Sequence, residues 1–493
     1  MRSLLTLLCF VLTFSNFVNA QPPFQVSAPD TYTNPVVIII PDTNVNLESL
    51  SRNGVAIPVT FYYVENNIGT AINIVDSAGG LTSLHKKVKG KMHVRGDATS
   101  HDPKKQFSVK LDKEPKDGPF LGMENKGKHW IFNDCGVVDV TLIRNAFTFN
   151  MQQSMGEYSP HWKWFEVFMC DNTATIDSMA SILANDYRGV YLNFDEIRFE
   201  KDRVEPKFKK EHPTSDMAIL QLNQADPSKY ATLSWVNSPA GPMELYEPDL
   251  GTVPATDTII TAINTWYSNW AGNTNDIYEN YVLDTTDTTG LVVLLQEMRK
   301  NTDYKSFAVY FLINELSKDP DGYHKSTFMV KDTAICKAGP LWDKNKSYGN
   351  YFNNPSDTFY YNLTSGWLYH DTLNTIDANQ SPQWWQSLLL DPAFCDTVWT
   401  YWNAYSTSVL DTTKMNTFID NQVAYLSVPY AAAGADSTAL LRNNACWQNG
   451  NNILLSQYMT QVEEFKSYLS GRIAWMTINL PLLLSKSGFD PGN

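Results

Sequence analysis

Short apolar runs, broken by turn formers, fill the first part of the chain. Residues 36–40 (Val-Val-Ile-Ile-Ile) and 59–63 (Val-Thr-Phe-Tyr-Tyr) are two of them, with Pro41-Asp42, Asn53-Gly54 and Gly79-Gly80 between or beyond. β-branched and aromatic runs bounded this way predict strands. Residues 91–95 and 106–111 continue the pattern, and alternation in the second puts Phe107, Val109 and Leu111 on one face. A helix is predicted from Asp139, a capping residue type, to Met155, where Gly156 stops it. Two further strands follow at 164–170 and 189–194. From about residue 255 the apolar spacing approaches the helical period, at 258–270, 291–299, 304–316, 382–390, 394–410 and 457–478. One strand pair, 326–331 and 337–343, interrupts the helices. Strands first and helices later predict an α+β protein of two lobes, strand-rich then helical. The expected divisions are a small β-rich region at 21–87, a main domain at 88–480 and a polar tail at 481–493.

Composition narrows this picture. The 493 residues are 43% hydrophobic and 13% aromatic, enough for a large core. A net charge of −14 argues against a nucleic-acid partner and against docking on an anionic membrane. Arg2, the apolar residues 4–14 and Val18-Asn19-Ala20 before Gln21 form a secretory signal pattern over 1–20. No later run reads as a membrane span, so a soluble, exported protein is expected. Of six cysteines, Cys9 falls in the leader; Cys135, Cys170, Cys336, Cys395 and Cys446 remain, an odd set that allows at most two disulfides. They show no zinc-type spacing. Asn345, Asn362 and Asn379 each begin a glycosylation sequon.

The chemistry concentrates in two segments. Residues 314–327 read Asn-Glu-Leu-Ser-Lys-Asp-Pro-Asp-Gly-Tyr-His-Lys-Ser-Thr, a helix end running into a polar loop. Residues 339–345 read Gly-Pro-Leu-Trp-Asp-Lys-Asn, a strand end with an acid at its tip. A hairpin between them can carry Asp321 and Asp343 to one cleft. Phosphoryl transfer uses such a pair, one carboxylate to orient the attacking hydroxyl and one to hold a metal that bridges phosphates. On spacing alone, an Asp-Pro-Asp-Gly loop also reads as a plain turn.

These two segments resemble the signature of the CotH (spore coat protein H) kinase family, an N-E-x-x-K-x-x-D-G-Y-x-x-S-T block followed by G-P-x-W-D-x-N. The resemblance continues in the same order over about residues 88 to 450. It takes in Arg95-Gly96 with Ser100, Pro103-Lys104-Lys105 with Phe107, Leu121-Gly122-Met123, Asp139 with Arg144-Asn145, Tyr187 to Leu192, and Trp384-Trp385 with Asp391-Pro392 and Trp402. It implies an atypical protein-kinase-like fold that uses ATP and a divalent metal, Mg2+ or Mn2+. Carried over, Asp321 is the catalytic acid, and Asp343 binds metal with Asn345 beside it. Lys104 or Lys105 pairs with nucleotide phosphates. Arg95 and Ser100 lie on the phosphate side, with Arg144 as a ligand or a structural ion pair. Asp195 or the adjacent Glu196 is the acid that pairs with the lysine. Trp342, Trp384, Trp385 and Trp402 read as core.

The chain departs from the family pattern at W-D-F-N-L, where Lys344 replaces the aromatic residue and Lys346 follows two positions on. That change either adds a phosphate contact or marks a drifted site. Three functional readings follow from the resemblance. One is a Ser/Thr kinase acting on secreted or surface proteins. The second is a non-enzymatic surface or secreted binding protein, an adhesin with a host-cell receptor. The third keeps the fold and transfers another group. A glycoside hydrolase is a fourth reading of paired acids in a Trp-rich chain. Arg95-Gly96-Asp97 also spells an adhesion tripeptide, here placed in the phosphate-side loop.

Overall fold

The computed structural model describes residues 31–50, 55–65, 72–74, 86–96, 98–134, 138–170, 186–205, 214–222, 235–236, 243–248, 258–282, 290–351, 361–369, 381–427, 438–447 and 455–488. The leader at 1–20, Asp97, Cys135, the sequon at Asn379 and the last five residues lie outside them. No helix among the described residues is long and apolar enough to cross a membrane.

Seven strands close into a barrel: β2 (Val36–Pro41), β3 (Ile57–Val64), β5 (Lys86–Arg95), β6 (Gln106–Leu111), β7 (His129–Asn133), β9 (Tyr187–Asp195) and β8 (Trp162–Met169), in that order around the ring. All neighbours are antiparallel except β2 and β8, whose parallel pairing, Val36 opposite Glu166, closes the barrel. Two-residue strands β1 (Thr31–Tyr32) and β4 (Ile72–Asn73) pair separately. The interior is filled as alternation requires, by Val37, Ile39, Phe61, Met92, Val94, Phe107, Val109, Phe132 and Phe165 among others. The region expected to stand alone at 21–87 therefore supplies two staves of this barrel, and a boundary at 87/88 would cut through β5.

The other faces of the same strands bury Ile131, Trp164, Val190, Leu192 and Phe194 in one core shared with the helices. These are α1 (Arg144–Ser154), α2 (Thr258–Ile277), α3 (Leu291–Asn301), α4 (Tyr304–Ser317), α5 (Trp384–Leu388), α6 (Pro392–Ser406), α7 (Thr412–Leu426), α8 (Ala439–Cys446) and α9 (Leu455–Leu484). The predicted hairpin is present as β13 (Thr327–Asp332) and β14 (Ile335–Ala338). It forms the edge of a five-stranded sheet with β10 (Met217–Leu222), β12 (Met243–Glu247) and β11 (Trp235–Val236). α9 runs through Pro481 to Leu484, and Leu483 and Leu484 are buried, so the polar tail expected from residue 481 begins later.

α8 fastens the helical part to the barrel. Arg442 grips Glu166 of β8 with Nε and Nη2, at 3.0 and 2.6 Å. Asn443 Oδ1 accepts from Val190 N at 3.0 Å and from Lys104 Nζ at 2.9 Å. Gly189 is required beneath it: φ is +79°, and a Cβ there would stand 2.4 Å from Asn443 Oδ1.

Candidate active site

The site forms where the loop after α4, the turn after β14 and the start of α1 meet the barrel. α4 ends at Lys318 in a left-handed cap, and the chain turns at once through Asp319. Asp319 Oδ1 accepts from Asp321 N at 3.1 Å, which fixes the loop that carries Asp321. Gly322 is packed under Asn314, where a Cβ would lie 2.5 Å from the amide oxygen. The Asp321 side chain is 39% exposed, with His324 Nε2 at 3.8 Å.

Asp343 follows β14 by five residues, at φ +54°, a strained conformation for a non-glycine residue. Asn145, the second residue of α1, holds this turn from behind. Its Oδ1 accepts from Lys344 N at 2.7 Å, and its Nδ2 donates to Asn345 Oδ1 at 2.9 Å. Asn345 in turn donates to Asp343 Oδ1 at 3.4 Å. α1 is itself set by Asp139, which accepts from the Thr141 and Arg144 backbone amides. Arg144 is buried, ion-paired with Asp139, and donates from Nε to the Ser347 carbonyl at 3.0 Å. It braces the turn and does not face the cleft.

Electrostatics tie the acids together. Asp343 stays open to solvent although protein rings it. That surrounding protein pushes its pKa up, as do Asp319 and Asp321, while Arg95 and Lys346 oppose the shift. Buried Asp319 is likewise raised by desolvation, against the pull of Lys344. Lys344 Nζ lies 2.6 Å from Asp319 and 3.0 Å from Asn314 Oδ1 and is 1% exposed. Its charge therefore goes into the core as a counter-ion, so the replaced aromatic position makes no phosphate contact.

The remaining expected residues divide. Arg95 lies over the Trp342 ring at 5.2 Å, donates to Gln106 and acts on both Asp343 and Glu196. Ser100 and Lys105 are partly exposed, with Lys105 Nζ 2.7 Å from the Ser100 carbonyl. Lys104 is 1% exposed, over the Tyr191 ring at 4.5 Å, and its ammonium is bonded to Asn443 and the Val190 carbonyl. Asp195 accepts from Asn125 at 2.9 Å and from His161 at 2.8 Å, and lies 3.4 Å from Arg203. Glu196 accepts from Tyr246 at 3.1 Å and pairs with Arg198 at 3.4 Å; burial pushes its pKa up, but Arg198, His129 and Arg95 bring it below the usual value. Among the described residues neither acid makes an ion pair with a lysine, which corrects the expected pairing: Asp195 pairs with His161 and Arg203, and Glu196 with Arg198. Lys104 acts instead on Asp134, just past the end of β7. Burial raises its pKa to about 7 against the pull of Lys104, with Asp102 and Asp343 adding to the rise.

Sequence reasoning missed Asp319, Asn145, Asn314 and Asp134 as parts of the site. All but Asp134 stand within or beside quoted motif blocks, and those blocks were the available signal. The sequons at Asn345 and Asn362 have their amides engaged, Asn345 with Asn145 and Asp343, and Asn362 with both backbone groups of Tyr351. Trp342, Trp384, Trp385 and Trp402 are core, as expected.

Among the described residues no three His, Cys, Asp or Glu side chains gather to hold a metal ion. The donor set still fits a magnesium-type ion, which typically binds through one or two carboxylates plus substrate phosphates. Asp343, with Asp321 repelling it, is such a carboxylate. No curated protein matches the chain. The family model "CotH kinase protein" matches residues 92–476.

Proposed function

The chain belongs to the CotH kinase family, and we propose that it is an ATP- and metal-dependent phosphotransferase that phosphorylates Ser or Thr on extracellular or surface proteins. What supports this reading is the family match over residues 92–476 together with two accessible acids, Asp321 and Asp343, the first of which is among the charges that raise the pKa of the second. Like charges that act on one another favour a bound cation. Asp343 would hold a Mg2+ or Mn2+ ion, with Asn345 steadying its carboxylate. The ion, when bound, neutralises charge on the transferring phosphate. Asp321 accepts the proton of the attacking hydroxyl and orients it; its partial exposure leaves room for an acceptor side chain. Arg95, Ser100 and Lys105 line the phosphate side, and Lys104 fixes the barrel wall behind them. The barrel and the helical part act as the two lobes, joined through α8. The leader pattern at 1–20 supports export.

Calorimetric titration of the purified protein with ATP tests the site. Binding is expected with Mg2+ or Mn2+, and Asp343→Ala is expected to weaken it at least tenfold, the scale of a lost charge-assisted contact (about 1.5–3 kcal/mol). ATP binding that ignores both metal and the substitution would overturn the assignment of Asp343.

A further inference from the structure

The two lysines that flank Asn345 take opposite places. Lys344 is buried on Asp319. Lys346 remains partly exposed, and among the described residues it makes no hydrogen bond and no ion pair. It stands three residues past Asp343 on the same turn, and its charge also acts on Asp102 in the segment before β6. The frame that carries it is rigid. Asn345 is held by Asn145, Ser347 N donates to the Lys344 carbonyl at 3.4 Å, and the Ser347 carbonyl accepts from Arg144.

Other cations near the cleft are occupied. Lys104 is bonded to Asn443 and the Val190 carbonyl, Lys105 to the Ser100 carbonyl, and Arg95 stacks on Trp342 and donates to Gln106. An ammonium on a fixed turn, beside the metal-type carboxylate yet not collapsed onto it, suits a phosphate oxygen.

We propose that Lys346 is a phosphate-binding residue of this chain and contacts the terminal phosphate of a bound nucleoside triphosphate. This rests on the phosphotransferase reading. It gives the two lysines that interrupt the family pattern separate jobs. Lys344 neutralises Asp319 inside, and Lys346 receives substrate anion outside.

The test is calorimetric titration of the full chain, in Mg2+, with ATP and with adenosine, for the natural protein, Lys346→Leu and Lys346→Arg. Lys346→Leu is expected to weaken ATP binding roughly tenfold, the loss of one charge-assisted hydrogen bond, and to leave adenosine binding unchanged. Lys346→Arg is expected to restore most of the ATP affinity, and thermal unfolding should coincide for all three. If Lys346→Leu binds ATP like the natural protein, or loses ATP and adenosine equally, the inference is overturned while the phosphotransferase reading stands. If the natural protein binds no ATP at all, that reading falls and this inference falls with it.

Discussion

At the scale of single residues, Lys344 shows how burial decides what a charge does. The lysine sits next to the metal-type acid in sequence, yet its ammonium lies on Asp319, with side-chain exposures of 1% and 2%. Removing one partner of such a pair strands the other charge in the core, at a typical cost of about 3–5 kcal/mol. Lys344→Met should therefore unfold at markedly lower urea, and adding Asp319→Asn should recover part of the loss. Unchanged urea midpoints in Lys344→Met would show that Asp319 is neutral without its partner. Asp321 and Asp343 were legible in the sequence because each stands inside a recognisable block. The inward turn of Lys344 and the outward turn of Lys346 were not, because both depend on how Asn145 and Asn314 grip the loop. Asp195 was misread for a related reason. A strand-end acid looks free in sequence, and only the fold shows His161, Asn125 and Arg203 converging on it.

At the scale of elements, strands and helices with strong periodicity were readable, among them β6, β9, α4 and the hairpin β13–β14. β10 and β12 were not, since short apolar segments flanked by long polar stretches give little period to read. The N-terminal strands were read as elements but placed in the wrong company. β2 and β3 together bridge β8 and β5, so without them the barrel has two open edges and an exposed interior. A chain beginning at Lys86 is accordingly expected to be insoluble or unfolded by circular dichroism and size-exclusion chromatography. A folded, monomeric 86–493 fragment would show instead that residues before 86 form a unit of their own.

At the scale of the whole molecule, the α+β class and the order of its halves were legible, but closure of the barrel was not. It depends on the parallel pairing of β2 with β8, a contact between distant parts of the chain that no local pattern announces. Asn145 of α1 links the turn that carries Asp343 to the end of β7, donating to Asn345 and to Asn133. Under the proposed function the tasks are separable: Asp343 serves nucleotide and metal, Asp321 the acceptor hydroxyl. The most direct test is transfer of radiolabelled γ-phosphate from ATP to a mixture of secreted proteins by the natural protein and by Asp321→Asn, with ATP affinity measured in parallel. Label on acceptor proteins is expected with the natural protein. For Asp321→Asn, ATP affinity should be retained and transfer should fall at least a hundredfold, the scale of a positioned general base, which is the role proposed for Asp321. Transfer by Asp321→Asn at the natural rate, or none by the natural protein while ATP is bound, would contradict the proposed function.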